Sequence, residues 1–167
     1  MDDYRDKIEA GESGFLKFMT KIIPGYGGYR EKEMRREADR LLREAIMSRL
    51  DRAEKALAKL RGDFNPISQG GPLLKTEQLI TRLETLTDRL RYAKYGYSGA
   101  FAAIKIDADK LDQLYTYDET LIKNAESILE ATQVGSGNAE DTLVKTAASL
   151  DELEAALDRR ERLLMEE

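Results

Sequence analysis

Asp118 stands in line with Leu111, Leu114, Leu121, Ala125 and Ile128, at alternating spacings of three and four, so on a helix its carboxyl lies on the apolar side. A carboxylate there needs a cation or several hydrogen-bond donors, because an unpaired charge away from water is strongly unfavourable. Tyrosine hydroxyls are such donors. Five of the eight tyrosines fall between Tyr92 and Asp118. Tyr95, Tyr97, Tyr115 and Asp118 therefore form a candidate polar pocket, with Arg35 and Arg91 as candidate counter-charges on facing seams. Two roles fit the set: a Tyr–Asp hydrogen bond or salt bridge that fixes helix register, and a tyrosine-lined pocket for a small ligand or cation. Acid–base catalysis by Asp118 with a tyrosine is a third, but no other group in the chain completes a recognisable site.

The chain has no cysteine and no histidine. This removes thiolate nucleophiles, Ser-His relays, zinc sites and the Glu-x-x-His di-iron bundle. Three local motifs also fail on inspection. Gly25-Tyr26-Gly27-Gly28-Tyr29 has the glycines of a phosphate loop but no Gly-Lys-Ser/Thr and no preceding strand. Asp107-Ala108-Asp109 opens like a calcium loop, yet Leu111 and Asp112 stand where a ligand and a glycine are needed. Arg61-Gly62-Asp63 reads as a helix end rather than an adhesion motif. The expectation is a non-enzymatic protein with no metal and no cofactor.

The elements that must position Asp118 are all helical. Charged residues make up 35% and aromatics 7%, with three prolines, a profile nearer to long helices than to a β-sandwich. The 41% hydrophobic content falls at regular spacing, which argues against disorder. The length suits one domain, with residues 1–24 as an amphipathic N-terminal segment and 25–167 as the bundle. Seams predict long helices near 30–61, 74–104, 107–132 and 139–165. The first uses Met34, Ala38, Leu41 and Ala45, then Ile46, Leu50, Ala53, Leu57 and Leu60; the second uses Leu79, Leu83, Leu86, Leu90 and Ala93. The same count reaches Tyr97, Phe101 and Ile104, so the helix is read through Tyr95-Gly96-Tyr97, with a break there as the alternative. The last helix uses Leu143, Ala147, Leu150, Leu153, Leu157 and Leu164. Short loops between them predict an antiparallel four-helix-type bundle, all-α in class.

Ahead of the bundle, Phe15, Leu16, Phe18, Met19, Ile22 and Ile23 form one apolar face on a helix over 14–23, with Ser13 as its cap and Pro24-Gly25 as its stop. Phe15, Phe18, Met19, Ile22 and Ile23 are thus either a lid on the bundle or an anchor for a partner's groove or a membrane surface. From Arg30 to Arg61 there are eleven basic against seven acidic residues; from Lys105 to Glu167, seven against sixteen. The two regions are read as facing each other and steering register, or the basic one as meeting an acidic partner. Nucleic acid is a poor partner for a chain of net charge −5 whose basic segment is interleaved with acids. With no run of apolar residues long enough to span a bilayer and no secretory pattern, the expected location is cytoplasmic, or peripheral to the inner face of the membrane.

GYGGYREKEMRREADRLLRE, RYAKYGYSGAFAAIKIDADKLDQLYTYD and the terminal LDELEAALDRRERLL carry a resemblance to a family of small, helical, uncharacterised bacterial proteins. The resemblance implies a bacterial cytoplasmic origin and transfers no catalytic residue. In architecture alone, a short amphipathic start before long charged helices is similar to phage-shock-type membrane-remodelling proteins, from which this chain departs in its shorter helices and Gly-Tyr connectors. The leading functional expectation is a scaffold or adaptor that presents helical surfaces to protein partners or to a second copy. Peripheral membrane association is the first alternative, and a ligand-binding bundle around Asp118 the second.

Overall fold

The computed structural model describes residues 12, 14–93, 105–133 and 138–166. Within them are five helices and no strand: α1 (14–22), α2 (Lys32–Asp63), α3 (Gly70–Tyr92), α4 (Ala108–Gln133) and α5 (Ala139–Met165). None is long and apolar enough to cross a membrane. The continuation of α3 through Tyr95-Gly96-Tyr97 to 104 lies outside the described residues.

Local chemistry accounts for the boundaries. The Asp107 carboxylate accepts the Lys110 N–H at 2.9 Å and so caps α4. The Asn138 side chain caps α5 by accepting the Glu140 N–H at 3.0 Å. Pro72 occupies the first turn of α3, where its missing N–H would have no intrahelical partner anyway. At the end of α2 the outcome differs from the reading of Gly62 as the stop. The helix passes through Gly62 and ends when Phe64 turns extended and buries its ring. The loop that follows is held by Asn65, whose side-chain oxygen accepts the Ile67 and Ser68 N–H groups.

The helices associate as two hairpins. α2 packs on α3 and α4, and α5 packs on α3 and α4, so α2 and α5 share one diagonal and α3 and α4 the other. Within each hairpin the helices run antiparallel: Arg43 near the start of α2 donates to the Leu90 carbonyl near the end of α3, and Arg160 near the end of α5 meets Asp118 in the first half of α4. Between hairpins the neighbours run parallel. Arg82 reaches Asp151 and Glu154, and Arg89, one heptad on, reaches Asp158 and Glu161, also one heptad on. Consecutive-helix periodicity carries no information about this side-by-side pairing.

The core follows the predicted seams of α3, α4 and α5, with Leu79, Leu83, Leu86 and Leu90 facing Leu121, Ala125, Ile128, Leu150, Leu153 and Leu157 inside one apolar cluster. Full burial of each leucine contributes roughly 1.5–3 kcal/mol. On α2 the register is displaced. Arg35, Ala38, Asp39, Leu42 and Ile46 are buried, whereas Met34, Leu41 and Ala45 are only half-buried. The reason is that α2 has two apolar neighbours: the bundle interior takes the 35/39/42/46 face, and the Gly25–Gly28 connector lies against Met34 and Leu41 on the other. A Cβ at Gly25 would meet the Leu41 side chain at 3.9 Å, and one at Gly27 would meet the Met34 side chain at 2.6 Å.

Candidate functional site: a polar layer inside the bundle

The site begins with the connector between α1 and α2. Gly25 and Gly28 have φ of +85° and +75°, a region that residues with a Cβ rarely adopt. At Gly28 there is no room either, since a Cβ would stand 2.7 Å from the Tyr115 hydroxyl oxygen. These turns drive Tyr26 and Tyr29 into the bundle, leaving them 2% and 0% exposed. There they meet Phe15 and Tyr115: Tyr29 stacks on Tyr115 at 5.8 Å, Phe15 lies 4.4 Å from Tyr115, and Tyr26 stands edge-on to Tyr29 and Phe15. Such aromatic pairs contribute about 0.5–1.5 kcal/mol beyond their area.

Beneath these rings one layer of the core is polar. Asp118 on α4 is completely buried. Its Oδ1 accepts from Arg160 Nε at 2.7 Å, and its Oδ2 accepts from the hydroxyls of Tyr29 and, at 3.3 Å, Tyr26. Arg160 Nη2 also donates to the Tyr29 hydroxyl at 3.0 Å and, across the bundle diagonal, to Asp39 Oδ1 at 2.8 Å. Asp39 Oδ2 accepts from Arg43 Nε at 2.9 Å, and Arg43 donates onward to the Leu90 carbonyl. Two carboxylates and two guanidiniums balance, and elements α2, α3, α4, α5 and the connector all join the layer. A side branch runs outward. The Tyr115 hydroxyl accepts the Tyr29 N–H at 3.3 Å and donates to Glu12 at 3.4 Å, and Glu12 pairs with Arg30 at 2.8 Å.

Burial dominates the electrostatics. It raises the Asp118 carboxyl above the ordinary aspartate range, while Arg160 and the Tyr29 hydroxyl pull it back. Burial works against the Arg160 charge too, but Asp118, Tyr29 and Asp39 around it hold its pKa well above the usual value. Burial lifts the Tyr26 and Tyr29 hydroxyls well above 10, helped by each other for Tyr26 and by Asp118 for both. Tyr115 is pushed up to about 12, by burial first and then by Glu12. The hydroxyls therefore stay protonated as donors.

Of the residues singled out by sequence, Tyr115 and Asp118 come together around Tyr29, while Tyr95 and Tyr97 lie outside the described residues. Arg35 is buried, and its Nε donates to the Tyr29 carbonyl at 2.7 Å, so it holds the connector. Arg91 is not a counter-charge for Asp118. It faces solvent next to core residue Leu90 and pairs with Asp88 at 2.9 Å, because α3 lies diagonal to α4 and turns Arg91 outward. The true counter-charge, Arg160, was missed although a signal existed: it falls three residues after Leu157 and four before Leu164, at the seam position where a leucine is due. Asp39 occupies the same kind of position between Arg35 and Leu42. Tyr26 and Tyr29 carried no comparable signal, since a loop has no period.

The face comprising Phe15, Phe18, Met19, Ile22 and Ile23 is turned inward. Phe15, Met19 and Ile23 are buried, and Phe18 and Ile22 are half-buried against the core. Lys123 of α4 lies 5.4 Å over the Phe18 ring. Two surface clefts flank the bundle: one of about 420 Å³ between the end of α4 and the start of α5, and one of about 760 Å³ between α1 and the start of α2. Neither is lined by Asp39, Asp118, Arg160, Tyr26 or Tyr29. Among the described residues no cluster of acids is arranged to hold a metal ion. No family model, curated protein or solved structure matches the chain.

Proposed function

We propose that this chain is a non-enzymatic helical scaffold or adaptor, cytoplasmic and working through protein partners. The observation that carries the reading is the closure of the polar layer. Both oxygens of Asp118 and both of Asp39 are occupied by groups of the chain itself. A ligand pocket requires groups that await a partner, and a catalytic carboxylate requires access to substrate. A closed, charge-balanced layer instead supports the role of register lock, in which misaligned helices would strand a buried charge. What then faces the surroundings is the charged exterior, including the basic outer row of α2 with Lys32, Arg36, Arg52, Lys55 and Lys59.

The test is chemical cross-linking of the intact chain in cell extract, with cross-links mapped by mass spectrometry. Cross-links from one or two proteins concentrated on a single bundle face, and lost when Arg52, Lys55 and Lys59 are reversed to glutamate, support the reading. Co-sedimentation of the purified chain with phosphatidylglycerol vesicles, in place of any protein partner, would replace it by peripheral membrane attachment.

A further inference from the structure

The large apolar side chains left in water are not scattered over the bundle. Among the described residues Ile67 is 97% exposed, and Leu74, Tyr92, Val144 and Met165 are each more than half exposed. All five belong to α3, to the loop that leads into it, or to α5; the described residues of α1, α2 and α4 expose none.

They also fall at the two ends of one seam. Arg82 and Arg89 of α3 pair with acids 69 and 72 residues further on, in α5. That offset sets Leu74 level with Val144 near the start of both helices, and Tyr92 level with the last turns of α5, where Met165 stands. Leu74 and Tyr92 are 18 residues apart, five turns of helix, so they lie on one side of α3. Val144 stands one heptad before Asp151 and Met165 one heptad after Asp158, on the row of the ladder itself.

The strip between these ends is largely satisfied within the chain. On α3 it carries Gln78, Thr81, Thr85 and Asp88. The Thr81 and Thr85 hydroxyls donate to the Glu77 and Thr81 carbonyls at 3.1 and 2.8 Å, and Asp88 is paired with Arg91. On α5, Asp151 and Asp158 are paired with Arg82 and Arg89. At the ends the ladder is incomplete in opposite senses. One heptad before Arg82, exposed Lys75 takes the cation's position, but Val144 and Ala147 take those of the acids, and Lys75 is in no ion pair among the described residues. At the other end Met165 takes an acid's position, and beside it is exposed Glu166. The Glu166 backbone carbonyl holds Lys110, and its carboxylate is in no ion pair among the described residues.

We infer that the α3/α5 face is the docking surface for a second copy of this chain, laid antiparallel, so that Leu74, Val144 and Lys75 of one copy meet Tyr92, Met165 and Glu166 of the other. The two ends are equally far apart in both copies, so a single twofold axis satisfies both contacts. A parallel pair would set Lys75 against Lys75. A lipid surface fits less well, because Asp88, Asp151 and Asp158 lie between the apolar ends. The strip is about 27 Å long and about 20 Å, two helices, wide, which covers roughly 500 Å² on each copy. That lies at the lower edge for a specific interface, so the dimer is micromolar or weaker and dissociates on dilution. The face is separate from the basic row of α2, and the inference does not depend on the adaptor reading.

The experiment is sedimentation velocity of the full chain over a concentration series that spans the micromolar range. The mass should rise from that of the 18.9 kDa monomer towards twice that value. Leu74→Glu and Tyr92→Glu, both at exposed positions, should leave the thermal transition in place and each weaken dimerisation on the order of ten-fold or more, since each side chain enters the interface twice. The chain has no cysteine, so orientation can be read from disulfides. Leu74→Cys mixed with Tyr92→Cys should give mixed dimers in excess over either self-pair. An excess of self-pairs, a monomer at every concentration, or a dimer indifferent to both glutamate variants overturns the inference. A monomer that pellets with phosphatidylglycerol vesicles, with pelleting lost in Leu74→Glu, overturns it in favour of a lipid surface. Arg52, Lys55 and Lys59 are untouched throughout, so failure of the dimer and failure of the adaptor reading are told apart.

Discussion

Arg160 and Arg89 each hold two carboxylates across helices, yet they occupy opposite electrostatic regimes. Arg160 joins Asp118 and Asp39 with side chains 3%, 0% and 8% exposed. Arg89 joins Asp158 and Glu161 with side chains 34%, 51% and 20% exposed, and Arg82 repeats the pattern one heptad away. On the surface, water already solvates both partners, so pairing adds a few tenths of a kcal/mol and salt screens it. In the core, desolvation of the ions is large and is offset only when every partner is present. The ladder therefore tolerates loss of a member, and the layer does not. The comparison separates two kinds of register control: a graded preference along the α3/α5 seam and an all-or-none requirement at the Asp118 layer.

The largest expected effect is from Arg160→Met, which leaves Asp118 buried without a cation and Asp39 with Arg43 alone. Denaturant unfolding should report a loss of about 3–5 kcal/mol. Adding Asp118→Leu to that variant removes the unpaired carboxylate and keeps the Asp39–Arg43 pair, and should recover much of the loss. A double variant no more stable than Arg160→Met would break the contrast, by showing that the layer contributes something other than paired charge. Next is Gly28→Ala, which opposes both the φ of +75° and the 2.7 Å approach to Tyr115. It should cost about 1–3 kcal/mol in thermal unfolding and loosen Tyr29 from Asp118.

Alkali sharpens the comparison from another side. The hydroxyls of Tyr26, Tyr29 and Tyr115 have folded pKa values above the unfolded value of 10.0, with Tyr115 at about 12. The stability they contribute is intact below pH 10, where both states are protonated, and is lost as pH rises through the folded values. Tyrosinate absorbance should therefore show these hydroxyls ionising later than exposed tyrosines, together with unfolding. Tyr115→Phe should flatten the loss of stability above pH 10, and early ionisation of all tyrosines in the folded chain would contradict the buried layer. The smallest effect belongs to the ladder. Arg82→Ala and Arg89→Ala should each cost no more than about 1 kcal/mol, and that cost should shrink further in about 1 M salt. A cost comparable to Arg160→Met would erase the distinction.

Much of the helical framework was legible in the pattern of leucines, because a helix repeats its buried face every three or four residues wherever it packs. Asp118 was legible for the same reason, as a charge in that pattern. Arg160 and Asp39 were legible in principle, but their seam positions were read over in favour of leucines and alanines nearby. The expected electrostatic pairing was drawn too simply. The basic α2 and the acidic α4 share the Arg49–Glu126 pair, while the repeating ladder runs between α3 and α5. Net charge along a chain does not say which helices adjoin. The α2 seam was displaced because a helix with two apolar neighbours shows two overlapping stripes, and periodicity alone does not say which of them faces the core.

By itself the sequence determined the helical class, the amphipathic face of α1 and the conflict posed by Asp118, because these depend on residues within a few turns of one another. Tertiary structure decided who resolves that conflict. Tyr26, Tyr29, Asp39 and Arg160 lie between 42 and 92 residues from Asp118 in sequence, and Asp39 joins it only through Arg160 across the bundle diagonal. Their meeting depends on which hairpin faces sit side by side, and no local period encodes that.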